Sequence, residues 1–440
     1  MVPVSFFPVP VFVRDITRRD STLRSILRAL GLLWFATSVS GCHLLATFDP
    51  SRLTAADATT VFDAGDADDA SAWDEDARKE ADADVAVDAD ATFEAGVAPD
   101  GGDGGVAPDQ TDGGEDAALP PLGVGVITLA GSSEHGAVDG LRGAARFWNP
   151  VNVALGPDGN LYVADYDNNL VRTIDSDGRV RTLVRQAGFE HPFGLAFTPD
   201  GTLYVETDVN DLGERSTTTG TLWRVARDGR ATVLARDLGR PRGMIALADG
   251  RLFLADPEHH VVRVYDPLNN RTIDLAGEYD RPGFADGEGS SARFNAPVDV
   301  ARVGDAVIVA DRENHRLRAV TLDGRVTTFA GGAMAGTVDG DRMTARFMRP
   351  QALASDGAGN LFVTDLDSYV LRRIASDGVV STFAGDGRSG FADALEPRQA
   401  QFFGLEGVDV SPDGATLYVA DGNRGGSGDY HRVRRIRRGL

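Results

Sequence analysis

Short runs of apolar residues, many with alternating polar positions, recur from about residue 123 to residue 440. Six of these runs end in a similar phrase, of which Leu161-Tyr-Val-Ala-Asp165 is the first. The phrases end at residues 165, 207, 256, 311, 365 and 421, so the period is 42 to 56 residues. A repeat of this length is typical of propeller blades and similar repeat units. The pattern therefore predicts the fold and does not by itself predict an activity.

The first repeat predicts four short strands, at residues 151–155, 160–165, 170–175 and 179–184. Tight turns at Pro157-Asp-Gly159 and Ser176-Asp-Gly178 join the first strand to the second and the third to the fourth. Six such units predict an all-β fold for residues 121–440, a six-bladed β-propeller of four-stranded antiparallel blades.

The two ends of the array predict how the ring closes. The sixth repeat has only three strands, whereas residues 124–131 have the pattern of a fourth strand and precede the first complete repeat. Pairing this N-terminal strand with the last blade would remove two exposed sheet edges. We therefore expect the propeller to be closed by that pairing.

A second phrase recurs between repeats and carries a family resemblance. Its parts are Leu-Ala-Gly or Phe-Ala-Gly, then Asp-Gly, Ala-Arg-Phe and Pro, and it occurs at 129–150, 275–297 and 329–350, with a degenerate copy at 383–402. Together with Asp311-Arg-Glu-Asn-His-Arg-Leu317, these phrases resemble NHL repeats. The resemblance covers most of residues 123–440 and implies the same six-bladed fold. We expect the Phe of each Ala-Arg-Phe phrase to pack between blades.

Repeated polar residues favour a structural role. An Arg follows the Asp that closes the second strand, and such pairs are expected to meet across neighbouring strands as ion pairs. They are Asp165/Arg172, Asp256/Arg263, Asp311/Arg318, Asp365/Arg372 and Asp421/Arg434. The second repeat has Thr207 in place of the Asp, which leaves Arg224 without this partner unless Glu206 or Asp208 replaces it. His260, His315 and His431 each precede the repeated Arg by three residues, so we interpret them as structural.

The N-terminal region predicts export. Residues 1–41 contain five arginines between Arg14 and Arg28, then an apolar run at 29–36 and small residues before Cys42. This order is that of an export signal. Cysteine after small residues resembles the lipobox of bacterial lipoproteins, which implies lipid attachment at Cys42 and a membrane anchor at the cell envelope. An ordinary signal peptide with an incidental cysteine, or a buried free thiol, is the alternative.

Residues 42–120 predict a disordered acidic tether, because they are rich in Ala, Asp and Gly and too poor in apolar residues to form a core. Residues 57–116 hold 20 acidic residues against Arg78 and Lys79, a net charge of −18 out of −22 for the whole chain. The propeller region is thus only mildly acidic, and this argues against nucleic acid as a partner. A single cysteine excludes a disulfide framework.

Two regions of the propeller are candidate sites. Asn152, Asp299 and Asp409 are polar departures on the innermost strands, and their oxygens suit calcium in the central channel. The loops after strands two and four collect all the long connections on one face, which we call the long-loop face. Its candidate binding residues are Tyr166, Asp167, His259, Arg312, Asp367 and Tyr369.

Two classes of function follow from the resemblance. The first is a non-catalytic scaffold at the cell envelope, without a cofactor, that binds protein, peptide or glycan through the long-loop face. The second is a metal-dependent lyase or lactonase-like hydrolase that uses the central channel. No Ser-His-Asp arrangement or phosphate-binding phrase stands in a convincing context, and the scattered histidines count against the second class. A purely structural envelope protein remains a third alternative.

Overall fold

The computed structural model describes residues 122–210 and 212–437, and these residues form six antiparallel sheets. The innermost strands of consecutive sheets contact one another in a closed cycle, so the sheets are the blades of a six-bladed propeller. The predicted fold class is confirmed. The predicted export signal, Cys42 and the whole of the predicted tether lie outside the described residues.

Blades 1 to 3 follow one another in chain order, each with its strands numbered from the axis outwards. Blade 1 has β3 (Pro150–Leu155), β4 (Leu161–Asp165), β5 (Leu170–Ile174) and β6 (Arg179–Val184). Blade 2 has β7 (Pro192–Phe197), β8 (Leu203–Thr207), β9 (Thr221–Val225) and β10 (Ala231–Ala235). Blade 3 has β11 (Gly243–Ala246), β12 (Leu252–Asp256), β13 (Val261–Asp266) and β14 (Arg271–Ala276).

Blades 4 to 6 complete the ring. Blade 4 has β16 (Pro297–Val303), β17 (Ala306–Asp311), β18 (Arg316–Val320) and β19 (Arg325–Ala330). Blade 5 has β21 (Pro350–Ser355), β22 (Leu361–Asp365), β23 (Val370–Ile374) and β24 (Val379–Ala384). Blade 6 has β25 (Leu405–Val410), β26 (Thr416–Asp421), β27 (His431–Arg437) and β1 (Gly125–Ser132).

The connections contain short additional elements. Two-residue strands extend the outer edges of blades 1, 4 and 5 at β2 (Gly140–Leu141), β15 (Gly287–Glu288) and β20 (Gly340–Asp341). Single 3₁₀ turns lie at Arg142–Ala144, Gly289–Ser291, Arg312–Asn314, Leu366–Ser368 and Pro397–Gln399. Among the described residues, no helix has the length and apolar character needed to cross a bilayer.

The N-terminal strand closes the ring as predicted. β1 is the outermost strand of blade 6 and pairs with β27 from Gly125 opposite Arg437 to Ser132 opposite His431. Its apolar residues pack on both sides of that blade, because Val126 lies in the core shared with blade 5 and Leu129 in the core shared with blade 1. The first strand in the chain is therefore also the last strand of the propeller.

The Ala-Arg-Phe phrases supply the packing between blades. Phe147 is fully buried in a core formed by residues of blades 6 and 1, and Phe294 occupies the same place between blades 3 and 4. Phe347 and Phe402 repeat the arrangement at the next two interfaces. Because both faces of a blade are covered, the second strands begin with a run of apolar residues, as in the fully buried β12, where Asp256 follows four apolar residues.

The glycine of the Leu-Ala-Gly phrase is required by a close approach of two strands. Gly131 has a φ of +90°, and a Cβ atom there would lie 2.2 Å from the carbonyl oxygen of His431. Gly277, Gly331 and Gly385 have the same left-handed φ at the equivalent position. A side chain would be strained here and would clash with the neighbouring backbone.

The five predicted ion pairs are present, and each arginine has a second acidic partner that the sequence analysis did not assign. Arg172 is fully buried, with 2.9 Å between its Nη1 atom and Asp165 Oδ2 and 2.5 Å between Nη2 and Asp139 Oδ1. The guanidinium also lies over the Phe147 ring. The second partner is the Asp of the Asp-Gly phrase in blades 1, 4 and 5, Asp393 in blade 6 and Asp274 in blade 3.

Blade 2 replaces the ion pair by a neutral hydrogen bond, and Arg224 is not the equivalent of the repeated arginine, so the register assumed for it is wrong. Trp223, and not Arg224, stands opposite Val205, the position that the repeated arginine has opposite Val163 in blade 1. Its Nε1–H donates to Thr207 Oγ1 at 2.8 Å. Arg224 is the next residue along β9, so its side chain is on the opposite face of the sheet and is exposed.

The repeated histidines have the structural role that was predicted. His260 Nδ1 accepts a hydrogen bond from the backbone N–H of Ala296, and His315 Nδ1 accepts one from Arg349, where the chain enters the next blade. His431 Nδ1 accepts the equivalent bond from Asn149, and this bond links blade 6 to blade 1. Burial lowers the pKa of all three imidazoles, so each is neutral and able to accept.

Candidate functional site

The central channel contains the three polar residues predicted from the innermost strands. It is a cavity of about 330 Å³ lined by Asn152, Asp299 and Asp409 among mainly apolar residues, and it extends toward the short Asp-Gly turns. Asp299 Oδ2 accepts a hydrogen bond from the Leu353 backbone N–H, and Asp409 Oδ2 accepts one from that of Leu155, both at 2.7 Å. Each carboxyl group thus ties its strand to the next blade.

The environment of these carboxyl groups favours their neutral form. Burial raises the pKa of Asp299 to about 7 and that of Asp409 to about 6, and Asp409 further raises that of Asp299. Asn152 Oδ1 accepts a hydrogen bond from the Val153 N–H. Within residues 122–210 and 212–437, no group of three or more His, Cys, Asp or Glu is arranged to hold a metal ion. Calcium in the channel stays a prediction.

A second group of polar residues lies at the long-loop end of the axis. The innermost strands of blades 3, 5 and 6 have Gly243, Ala352 and Gly407 at the position equivalent to Asn152. The residues directly before this position are Arg242, Gln351 and Glu406, whereas blades 1 and 4 have valine there. Asp167, Asp208 and Arg312 come from the connection that follows the second strand. We call these six residues, one from each blade, the axial ring: Asp167, Asp208, Arg242, Arg312, Gln351 and Glu406.

Blade 2 contributes Asp208 to the axial ring and places a second buried acid, Glu206, beside it. Asp208 is fully buried; Tyr166 donates its hydroxyl proton to Asp208 Oδ2 at 2.7 Å, and Arg240 donates to the same oxygen. Arg242 Nη2 lies 3.5 Å from that oxygen. Burial alone would raise the pKa of Asp208, but the guanidinium groups of Arg242 and Arg240 lower it. Asp208 is therefore ionised.

Glu206 lies beside Asp208, at a position where most blades have alanine. It is fully buried, and burial together with the Asp208 charge raises its pKa well above the ordinary value. The backbone N–H of Gly194 lies close enough to lower this pKa, yet neither carboxyl oxygen of Glu206 has a hydrogen-bond partner of good geometry. A buried acceptor without a donor is costly and is uncommon away from functional sites.

Other charges act across the axis. Burial raises the pKa of Glu406 to about 8; Arg424 and Arg242 oppose this rise, whereas Asp167 adds to it. Since Glu406 is in blade 6, Arg242 in blade 3 and Asp167 in blade 1, their interaction requires them to face a common centre. Arg312 completes the other side, with Nη1 3.5 Å from Gln351 Oε1. Burial and the charges of Arg349 and Arg242 lower its pKa to about 10.

The orphaned carboxyl oxygens distinguish this site from the scaffold. The four fully buried scaffold arginines leave only their Nε atoms without a partner, and their acidic partners are satisfied. Among the described residues, buried carboxyl oxygens without a hydrogen-bond partner belong to Glu206, Asp208 and Glu406 alone. All three lie at the long-loop end of the axis. The polar groups here are thus arranged for something other than closing the fold.

Five of the six predicted binding-face residues lie in or beside the axial ring. Asp167 and Arg312 belong to it, and Tyr166 bonds to Asp208. Asp367 accepts a hydrogen bond from Arg424, whose guanidinium lies 5.9 Å from the Tyr369 ring centre.

His259 is placed differently, because it is 3% exposed and its Nδ1 lies 2.7 Å from Asp256 Oδ2. Burial would lower the pKa of His259, but the hydrogen bond to Asp256 raises it. It extends the ion pair of Asp256 with Arg263 in blade 3, and its role in binding stays a prediction.

The comparison with known families agrees with the repeat pattern. A family model described as NHL repeat matches residues 147–174, which include the Asp165/Arg172 pair and the inner three strands of blade 1. The other blades repeat this architecture. The protein is an NHL-repeat propeller.

Relatives of this NHL-repeat propeller are longer proteins. It is 27% identical over 279 residues to Protein SUPPRESSOR OF QUENCHING 1 of Arabidopsis thaliana, which covers 62% of this chain and 23% of the relative. It is 29% identical over 196 residues to NHL repeat-containing protein 2 of Bos taurus, which covers 39% of this chain and 27% of the relative. The alignments therefore span about a quarter of the length of these relatives.

A solved structure shares the fold. It is an auxiliary nutrient binding protein from Bacteroides thetaiotaomicron, with a TM-score of 0.57 and 17% identity over 70% of this chain and 75% of that chain. At this identity the similarity concerns the fold, and the site must be judged from its own residues.

Part of the site of the NHL-repeat propeller was not identified from the sequence. Glu206, Arg240, Arg242 and Glu406 were not assigned to any site. Three of these residues could have been identified from the sequence, because they depart from the repeat. At 206, 242 and 406 a charged residue replaces the small or apolar residue of other blades. Residues 242 and 406 directly precede the position equivalent to Asn152, where the polar departures point to the channel instead.

Proposed function

We propose that this chain is a non-catalytic binding protein that holds its ligand at the axial ring on the long-loop face. The observation that carries this proposal is the group of buried, unpartnered carboxyl oxygens on Glu206, Asp208 and Glu406. These side chains are departures from the repeat, so the scaffold does not require them. Polar groups that converge at one end of a propeller axis are well placed to fix the orientation of a bound molecule.

Accessibility supports the same proposal. The side chains of Arg242 and Arg312 are 22% and 20% exposed, and Glu406 and Asp167 are half-buried, so a ligand can reach them. Rings of Tyr369, Phe403 and Tyr430 stack beside the site and add apolar contact area. The solved Bacteroides thetaiotaomicron propeller is named as a nutrient binding protein, which is in keeping with a binding role.

A lyase or lactonase-like activity in the channel has less support. Asp299 and Asp409 already accept backbone hydrogen bonds that join blades, which is a structural use of both carboxyl groups. Protein, peptide and glycan ligands all remain candidates for the ring.

The proposal is tested by probing arrays of short peptides and of glycans with the purified full-length chain. We expect at least one ligand whose signal is lost in Arg312→Gln and retained in Arg325→Gln, an exposed arginine on the outer strand of the same blade. Equal thermal stability of the two variants excludes unfolding as the cause. Ligands that are insensitive to Arg312→Gln, or that are lost with Asp299→Asn, would contradict the axial ring as the site.

We further propose that the chain is exported and anchored to a membrane of the cell envelope by a lipid on Cys42. The lipobox-like order of residues before Cys42 supports this. We expect Cys42→Ala to move the protein from the membrane pellet to the soluble fraction, because the substitution removes the thiol that would carry the lipid. The control replaces residues 1–42 by a known lipoprotein signal with its own lipidated cysteine, which should keep the protein in the membrane pellet. Unchanged fractionation of the single variant would refute the anchor.

A further inference from the structure

The wall of the central channel is formed by the inner edges of the six innermost strands. In an edge strand of an antiparallel sheet, the backbone N–H groups alternate between the neighbouring strand and the open side. On β3, Val153 N–H donates to Asn152 Oδ1 and Leu155 N–H donates to Asp409 Oδ2, and both acceptors belong to side chains that line the channel. These two positions of each innermost strand therefore direct their N–H groups into the channel.

Two carboxyl groups accept several of these N–H bonds. Asp299 Oδ2 accepts from Leu353 of the next blade at 2.7 Å, and the same carboxyl group also accepts from Val300 of its own blade. In the same way, Asp409 joins the N–H of Val410, at 2.8 Å, to blade 1. The chain thus shows in two places how a carboxyl group binds to the inner edges of adjacent blades.

Blades 2 and 3 lack this arrangement. At the positions equivalent to Asp299 and Asp409 they have residues without a side-chain acceptor: Gly194, Ala196, Gly243 and Ile245. The strand register assigns four channel-facing N–H groups to these two blades, which we call the channel amides: Leu195, Phe197, Met244 and Ala246. All four residues line the cavity, and none donates its N–H to a side chain of residues 122–210 and 212–437.

The charged and titratable side chains that line the cavity are Arg302, Asp299 and Asp409. Arg302 is exposed, its Nε–H donates to the backbone oxygen of Gly304, and it forms no ion pair with a described residue. Burial raises the pKa of Asp299 to about 7 and that of Asp409 to about 6, so both carboxyl groups are mostly neutral near pH 5. Because their oxygens already accept backbone hydrogen bonds, the cavity offers a ligand mainly donors.

We propose that the channel is a second binding site, in which the channel amides of blades 2 and 3 hold a small carboxylate. The ligand takes the place that the side chains of Asp299 and Asp409 have in other blades. Hydrogen bonds from N–H groups to a carboxylate are strong because the acceptor is charged. The volume of about 330 Å³ is at the lower end of the range for ligand cavities, so the ligand is a molecule of few atoms.

Other ligands fit these donors less well. Calcium requires six to eight oxygen ligands, whereas N–H groups present their positive ends to the channel. Water can accept from the same N–H groups without a charge, so the test has to follow the N–H groups themselves. The site is at the opposite end of the axis from the axial ring and does not depend on the function proposed for that ring.

The test is an amide nuclear magnetic resonance titration of the full-length chain with sodium acetate at pH 5.5. Sodium chloride at equal ionic strength is the control. We expect saturable shifts at the channel amides and much smaller shifts at Val153 and Leu353, whose N–H groups already donate to side chains. Shifts that do not saturate, or equal shifts with chloride, would overturn the inference.

Two variants test the position of the ligand. Ala196→Asp places a carboxyl group where blade 6 has Asp409, so it should fill the site and weaken acetate binding by at least about tenfold. Arg302→Gln should weaken it by about threefold, whereas Arg325→Gln, exposed on the outer strand of the same blade, should leave it unchanged. If Ala196→Asp lowers the melting temperature, Arg302→Gln decides. Acetate affinity that is the same in Arg302→Gln and Arg325→Gln would contradict the site.

The pH dependence provides an independent readout. Acetate is ionised at both pH 5.5 and pH 8, but Asp299 and Asp409 lose their protons between these values. Their negative charges then oppose a bound anion, so the affinity should fall by at least about threefold. An affinity that rises with pH would reject a carboxylate in this channel.

Discussion

Deletion of residues 124–131 is expected to abolish cooperative folding of the propeller. This segment includes most of β1, whose Val126, Leu129 and Ala130 are at most 3% exposed. Burial of each of the two larger side chains contributes about 1.5–3 kcal/mol. The deletion also removes the partners of six of the seven β27 positions that are paired with β1 in the intact protein, and so exposes a strand edge. The total loss, roughly 5 kcal/mol or more, is comparable with the whole stability of many domains.

The measurement is thermal and urea unfolding followed by circular dichroism. The matched control removes residues 43–121, which precede the described part of the chain, and it should keep the melting temperature of the intact protein. Leu129→Ala gives an intermediate case, with an expected loss of about 2–5 kcal/mol. A deletion variant that melts at the temperature of the control would show that β1 does not stabilise the ring.

The fold was predictable because its signals are local and repeated. A two-residue alternation, an Asp-Gly turn and a closing Asp appear in nearly every unit, so six weak signals support one another. The closure by β1 followed from counting strands, since the last repeat lacked one and the N-terminal segment supplied it. Phe147 and the repeated histidines could be assigned to the scaffold because residues that recur around a ring cannot converge on one site.

The errors came from register and from contacts between distant segments. In blade 2 the insertion between β8 and β9 obscures the pairing register of these strands. A shift of one residue decides whether the side chain of Trp223 or that of Arg224 lies on the side of the sheet where it can reach Thr207. Asp139 was not linked to Arg172 because 33 residues separate them, and the fold alone brings them together. For the same reason the convergence of Arg242 and Glu406 depends on ring closure, which no local pattern encodes.

These scaffold networks also explain where function can be placed. Asp165, Arg172 and their equivalents form satisfied, buried networks near the long-loop face of five blades. Blade 2 lacks this ion pair, and the buried acids Glu206 and Asp208 with Arg240 are found there instead. The blade whose scaffold differs from the others is thus the one that contributes most to the candidate site.

Replacement of one buried arginine by an apolar residue should be strongly destabilising. Arg318 is fully buried, lies 2.8 Å from Asp311 and 2.6 Å from Asp286, and also donates to the backbone oxygens of Arg293 and Ala285. We expect Arg318→Met to lower the free energy of unfolding by about 3–5 kcal/mol, because it leaves the fully buried Asp311 without its counter-charge. Arg325→Gln, on an exposed position of the next strand, should change it by less than about 0.5 kcal/mol.

The pH dependence of Arg318→Met identifies Asp311 as the cause. Burial already raises the pKa of Asp311 to about 6 with Arg318 present, and loss of this cation should raise it further. A carboxyl group whose pKa is higher in the folded than in the unfolded state loses stability as the pH rises through the folded value. The deficit of Arg318→Met relative to the intact protein should therefore be larger at pH 8 than at pH 5 in urea unfolding. Adding Asp311→Asn should reduce the deficit at pH 8 and remove most of this difference, because a neutral amide needs no counter-charge. A deficit that is equal at both pH values would locate the damage in lost packing over Phe294 and Phe284 instead.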